Sequence, residues 1–238
     1  MKLFVCLLLA VSSVYTQAGS VPSFIKACSA SDPALTQCLT KSVQAAGPLF
    51  AEGIPALGVA SLDPVHLGTV IASNPALKLT FTDTVVTGLK GLKVNSFKLN
   101  TEKGKAVFDF VANVTLKANY LMDGQILILP IRGEGLAKIK ITNLNIVVKY
   151  DYVTRDGHWE LPTYKSTYKM DRAHFKFNNL FGGKSKELAE TTHRFTNENW
   201  SLIMQEIAPP AIDQIIRSCV DEVRKFFKSV PADQLLAP

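Results

Sequence analysis

Between Ala106 and Tyr120 apolar residues occupy every second position. Ala106, Phe108, Phe110, Ala112, Val114, Leu116, Ala118 and Tyr120 share one face of an extended chain, while Asp109, Asn113, Thr115, Lys117 and Asn119 lie on the other. At ~3.3 Å per residue this strand is roughly 45 to 50 Å long, which only a strongly curved sheet can fit into a compact domain. Its apolar face also requires an apolar partner.

The flanking segments suggest that partner. From about Leu77 to Phe177 short runs rich in valine, isoleucine, phenylalanine and threonine are broken at Gly88, Gly91, Gly104, Asp123-Gly124, Gly133 to Gly135 and Asp156-Gly157, predicting an antiparallel meander. Ahead of it, Asp32-Pro33 predicts the start of a short helix with Leu35, Leu39 and Val43 on one face, ended by Gly47-Pro48. Asp63-Pro64 predicts a single helical turn. After Gly182-Gly183 the period becomes helical through Leu188, Phe195, Leu202, Ile203 and Ile207, and Pro209-Pro210 must kink or interrupt the helix. A second segment places Ile212, Ile215, Ile216, Cys219, Val223, Phe226 and Phe227 on one side. The expected fold is one α+β domain over residues 19–238, with the amphipathic helices against the concave side of the sheet.

The first residues, MKLFVCLLLAVSSVYTQA, combine a lysine, an apolar run from Leu3 to Val11 and a small, polar end, predicting a signal peptide over 1–18 and a secreted, extracellular protein beginning near Gly19. No later stretch supplies the roughly 20 apolar residues of a membrane helix, so stable membrane insertion is not expected. Losing Lys2 takes the formal charge from +6 to about +5. The densest basic group is Arg217, Arg224, Lys225 and Lys228, without the interleaved aromatics of a nucleic-acid surface, and no nucleic-acid partner is expected. Export removes Cys6 and leaves Cys28, Cys38 and Cys219 in an oxidising compartment. Cys28 and Cys38 are assigned as a disulfide that ties the N-terminal tail to the first helix. Cys219, on the stripe of the last helix, is either a buried, inert thiol or the site of an intermolecular bridge. Asn113-Val-Thr115 and Asn199-Trp-Ser201 make Asn113 and Asn199 glycosylation candidates, with Asn113 on the polar face of its strand.

Catalytic patterns are missing. His66, His158, His174 and His193 stand in unrelated contexts, without metal-ligand spacing, and there is neither a Gly-x-Ser-x-Gly elbow nor a Walker loop. Gly133-Glu-Gly135 is superficially similar to a dinucleotide loop but lacks the third glycine and runs into the strand-like LAKIKITNLNIVV, predicting a bulge or kink in the sheet. A non-enzymatic protein without metal or cofactor is expected. Residue patterns alone favour the two apolar faces packing into an ordinary core.

Four stretches together resemble the insect takeout and juvenile hormone-binding family: the Cys28/Cys38 pair, GIPALGVASLDPVHL, ILPIRGEG, and FKFNNLFGGKSKELAETTHRFTNENWSLIMQEIAPPAI. The last is the most specific, with Phe177-Asn-Asn-Leu-Phe181 followed by Asn197-Glu-Asn-Trp200 and a downstream proline. The resemblance implies a long kinked C-terminal helix wrapped by a highly curved antiparallel sheet, related to the lipid-binding modules of bacterial permeability-increasing proteins, around an internal hydrophobic tunnel. It implies a carrier, expected to be monomeric, of one elongated apolar small molecule (terpenoid, fatty-acid or other lipid-like ligand) in hormone, chemosensory, feeding or circadian signalling. On that reading the ligand wall comprises Phe81, Phe108, Phe110, Val114, Leu116, Phe175, Phe177, Trp200 and Ile203, chosen by face. Hormone carriers of the family usually hold a second disulfide to the C-terminal helix. Here Cys219 has no partner left, which favours the takeout branch. Two rivals are a lipid-surface or partner-binding module, docking on anionic membranes through the basic end of the last helix, and an esterase acting on a lipid or hormone ester, whose nucleophile and base the sequence does not display.

Overall fold

The computed structural model describes residues 20–238; the expected signal segment lies outside the described residues. In chain order the elements are β1 (Cys28–Ser29), α1 (Leu35–Ala51), β2 (Val65–Leu67), β3 (Val70–Ile71), β4 (Leu77–Thr87), β5 (Lys93–Asn100), β6 (Lys105–Ile126), β7 (Leu129–Arg155), β8 (His158–Lys169), β9 (Arg172–Phe177), α2 (Lys186–Glu198), α3 (Trp200–Glu206), α4 (Pro209–Ser229) and β10 (Leu236–Ala237).

The β6–β7 hairpin is the spine of an eight-stranded antiparallel sheet. β6 pairs with β5 along its first half and with β4 along its second; β7 pairs with β9 and then with β8. At ~3.3 Å per residue a straight β7 would run nearly 90 Å, so the sheet must curl. Register shifts supply bends in four pairings: at Asp83 and Thr84 of β4, at Asn95 of β5, at Thr142 and Asn143 of β7, and at Leu161 and Pro162 of β8. The hydrophobic alternation of β6 continues unbroken, with Ala112, Val114, Leu116, Ala118, Tyr120 and Met122 all buried. Ile203, Met204, Ile207, Ile212, Ile216 and Val220, from α3, the link after it and α4, join the same apolar cluster beneath the sheet. This is the long interrupted C-terminal helix inside a curved antiparallel sheet.

Several local expectations are corrected. Asp123-Gly124 is not a turn: β6 continues to Ile126, and the reversal falls at Leu127 and Ile128, with Leu127 at φ 54°. The register runs unshifted through Gly133-Glu-Gly135, so there is no bulge there. These glycines are needed because another chain segment crosses them: a Cβ on Gly133 would stand 2.7 Å from the Tyr120 hydroxyl, and one on Gly135 2.9 Å from the Asn178 carbonyl. The Tyr120 hydroxyl donates to that same carbonyl at 2.7 Å, pinning the Asn178–Leu180 crossing to the sheet. The first helix begins at Leu35 and continues through Pro48 to Ala51. Proline removes one donor near the helix end, and burial of Ala46 and Ala51 holds the last turn. Asp63-Pro64 opens no helical turn; it leads into β2, and the Asp63 carboxylate accepts from the N–H groups of Gly88 (3.1 Å) and Lys90 (2.7 Å).

The C-terminal helix breaks twice. Pro209-Pro210 opens α4, and an additional break falls at Asn199, whose amide nitrogen donates to the Phe195 carbonyl at 2.9 Å. Leu188 and Leu202 are exposed; the buried face of α2 is Thr192 and Thr196, whose hydroxyls donate to the Leu188 and His193 carbonyls. The conspicuous polar residues of this region cap the free edge of β9. Asn197 accepts from the Phe175 N–H (2.8 Å) and donates to the Phe175 carbonyl (3.0 Å), while His193 Nε2 accepts from the Phe177 N–H (3.0 Å). An edge strand is thereby closed to other chains.

This cap is pH-dependent. Burial holds the His193 pKa below the ordinary imidazole value, with Lys176 and His174 adding to the effect. The unfolded chain therefore binds the proton more readily, and this contribution to stability is complete above pH ~6.5 and is lost as pH falls below it. Thermal unfolding should show a lower melting temperature at pH 5.5 than at 7.5. His193→Gln, whose amide oxygen can accept the same N–H, should flatten that difference; an equally steep loss in the variant would assign it to other groups.

Candidate functional site: an apolar cavity beneath the sheet

Between the concave face and the helices lies a cavity of about 370 Å³. That is within the usual ~300–1,000 Å³ of small-molecule sites. Along β6 the lining runs from Ala106 to Leu116, roughly 33 Å of curved strand, and is met again at Ile126, so the lined wall is long in the strand direction. β6 contributes Phe108, Phe110, Val114 and Leu116; β4 contributes Phe81; β9 contributes Phe175 and Phe177; α3 contributes Ile203. Trp200 lies outside the lining, packed against the core at the start of α3. Phe108 and Phe110 stack with centroids 4.7 Å apart, and Phe97 meets Phe108 edge-on at 5.9 Å, giving one stretch of wall a continuous aromatic surface.

Sequence reasoning missed three parts of this wall. α1 contributes Ala46 and Phe50, and β7 contributes Ile139, Ile141, Ile146 and Val148. At the α4 side, Tyr150, Tyr152 and Trp159 gather near Phe227 and Cys219, with Trp159 and Phe227 centroids 5.5 Å apart. Among the described residues the Tyr150 and Tyr152 hydroxyls make no hydrogen bond, and burial raises both their pKa values. Both are protonated at neutral pH. Among the described residues Lys26 is the one charged lining residue; it is exposed, next to the tail tied down by the Cys28–Cys38 disulfide.

Cys219 is unpaired among the described residues, is partly accessible and lines the cavity. Burial, with Glu222 nearby, pushes its thiol pKa up to about 12, so almost no thiolate exists at neutral pH. Iodoacetamide at pH 8 should label Cys219 on the order of 100-fold more slowly in the native protein than in denaturant, read by mass spectrometry. Comparable rates would mean a thiol open to bulk water. Asn113 is exposed, with its side-chain oxygen accepting from the Asn143 N–H at 2.7 Å; Asn199 is half-buried and its amide is engaged. At the end of α4, Arg224 pairs with Asp221 and Lys225 with Glu222, which neutralises much of the basic group there. No group of three or more His, Cys, Asp or Glu side chains able to hold a metal occurs among the described residues, and no described helix is long and apolar enough to cross a membrane.

A curled sheet closed by helices around a hydrocarbon-walled chamber defines a hydrophobic-ligand-binding protein. Residues 4–237 match the family described as Haemolymph juvenile hormone binding protein (JHBP), and the chain belongs to that family, whose members carry hydrophobic ligands. It is 28% identical over 239 residues to the circadian clock-controlled protein daywake of Drosophila melanogaster, spanning 90% of this chain and 87% of that relative. The daywake protein of Drosophila yakuba is 26% identical over 230 residues, with the same shares. The crystal structure of Epiphyas postvittana Takeout 1 aligns with a TM-score of 0.85 at 30% identity, over 90% of this chain and 100% of that one.

Proposed function

We propose that this protein is a secreted carrier that takes up one elongated apolar molecule, of terpenoid, fatty-acid or similar lipid-like class, in the cavity between sheet and helices. The observation that carries the reading is a wall almost wholly of hydrocarbon, extended along β6 and interrupted by few polar groups. Each CH₂ removed from water contributes about 0.8 kcal/mol, so ten to twenty such groups give a gross driving force near or above ~10 kcal/mol. Ordering costs reduce this and leave micromolar to nanomolar affinity. The Tyr150 and Tyr152 hydroxyls fit a ligand bearing an oxygen acceptor at one end. The signal-like N-terminus and the disulfide support export. The clock-controlled name of the daywake relatives supports a role in timed signalling.

Titration with a fluorescent apolar probe such as N-phenyl-1-naphthylamine tests the reading. Saturable uptake of one probe per chain, displaced by long-chain acids or terpenoid esters and not by short-chain ones, is expected. Failure to take up any apolar probe would count against it.

A further inference from the structure

The outer face of the sheet carries an arrangement the cavity does not use. Lys117 of β6, Lys138 of β7 and Lys176 of β9 stand in one cross-strand row, Lys138 being the direct partner of both others. Strands are ~4.8 Å apart, and like charges directly opposite destabilise a sheet. None of the three has an ion-pair partner among the described residues. The next row adds Lys140 opposite His174. Of the carboxylates on this side, Asp83 is engaged by the Asn119 amide, Glu134 stands opposite Leu121 and Asp123 opposite Arg132. A row that costs stability in the free protein is stabilised once anionic groups lie over it.

Towards the hairpin tip the same face also presents exposed apolar side chains, among the polar residues Asp123, Gln125, Arg132 and Glu134. Leu136 lies two residues before Lys138, about 7 Å nearer the tip, and Leu121 of β6 is diagonal to it; Ile71 is reached across Thr80 of β4, and Ile128 stands in the turn. These side chains are 59%, 61%, 52% and 80% exposed. On the inner side of the hairpin the cavity lining reaches Ile126, two residues from Ile128.

We propose that this face docks on anionic lipid membranes, with the lysine row over acidic headgroups and the exposed apolar side chains of the tip in the interface. A soluble polyanion would satisfy the lysines and leave Leu121, Ile128 and Leu136 in water, whereas an anionic bilayer surface satisfies both. Docking this way brings the hairpin end that carries the cavity-lining Ile126 close to the lipid. The surface goes beyond the carrier reading, and vesicle binding and probe uptake are separate measurements that can fail independently.

Cosedimentation of the protein with vesicles of 30% phosphatidylserine in phosphatidylcholine, against pure phosphatidylcholine, tests it. The expected result is salt-sensitive binding to the anionic vesicles alone. A lysine near such a surface is worth about fivefold, so Lys117→Gln/Lys138→Gln/Lys176→Gln should bind on the order of 100-fold more weakly. Probe uptake should be unchanged and the melting temperature equal or higher, because repulsion has been removed. Should the triple variant not fold, Lys138→Gln alone should lose about fivefold. Ile128→Ser/Leu136→Ser should also weaken vesicle binding. Equal binding to neutral and anionic vesicles, no binding to either, or full binding by the lysine variants would overturn the proposal. So would an unaffected Ile128→Ser/Leu136→Ser variant that binds heparin as tightly as vesicles, which would assign the row to soluble polyanions.

Discussion

Replacing Phe108 by aspartate should reduce the affinity for apolar ligands at least about 100-fold, a loss of roughly 2.7 kcal/mol, with the protein still folded. Phe108 is half-buried, stacks on Phe110 and lies in the wall where β6 faces the chamber. In the empty protein a carboxylate there can be hydrated by water in the cavity. An apolar ligand would have to strip that water and leave a charge without a partner, which costs several kcal/mol. Folding pays little of this cost because the position is not in the solid part of the core. Phe108→Leu, which keeps the hydrocarbon and loses the stacking, should stay within about tenfold of the parent. Isothermal titration of both variants, beside their melting temperatures, separates lost binding from lost folding. Undiminished binding by the aspartate variant would place the ligand elsewhere.

The second large effect is on folding. Gly88, just past β4, has φ 111°, and a Cβ there would sit 2.0 Å from the Asn113 carbonyl oxygen and 3.0 Å from its carbon. Both objections act together, since L-residues avoid this backbone region and the space is occupied by main chain that cannot rotate away. The loop is fixed in place by Asp63, which gathers the N–H groups of Gly88 and Lys90. Gly88→Ala should therefore lower stability by about 3 kcal/mol or more, or roughly 6 to 12 °C in melting temperature. Gly91→Ala, where nothing lies within 4 Å of the added methyl, should be nearly neutral. Equal melting curves for the two variants would mean that the crossing of β4 and β6 is looser than described.

What could be read from the sequence depended on whether a pattern kept its phase. β6 could be read because its inward set continues without a break from Ala106 to Met122. The same method fails on β7. There the inward residues are Ile139 and Ile141, then Leu144, Ile146, Val148 and Tyr150, because the extra residue at Thr142 and Asn143 moves the set from odd to even positions. Asn143 at φ 49° marks the shift, and an asparagine inside an alternating run was the available signal. On α2 the helical period is present, but tertiary contacts bury Thr192 and Thr196 and leave Leu188 in water. A threonine can do this because its hydroxyl bonds back to the preceding turn and its methyl faces inward. Trp200 fell on a face read as wall and lies beside it, since the break at Asn199 resets the helix orientation. The existence of a chamber was not legible in residue patterns at all. Two apolar faces also describe a solid core, and only the packed geometry distinguishes them.

The most direct test of the carrier account is native mass spectrometry of the protein purified from the tissue that makes it, followed by organic extraction of what it holds. The account predicts a complex of one chain with one apolar molecule. That molecule should be released by solvent and should compete with the fluorescent probe. A protein that leaves its source empty, and neither takes up the probe nor binds an added long-chain lipid, would contradict it.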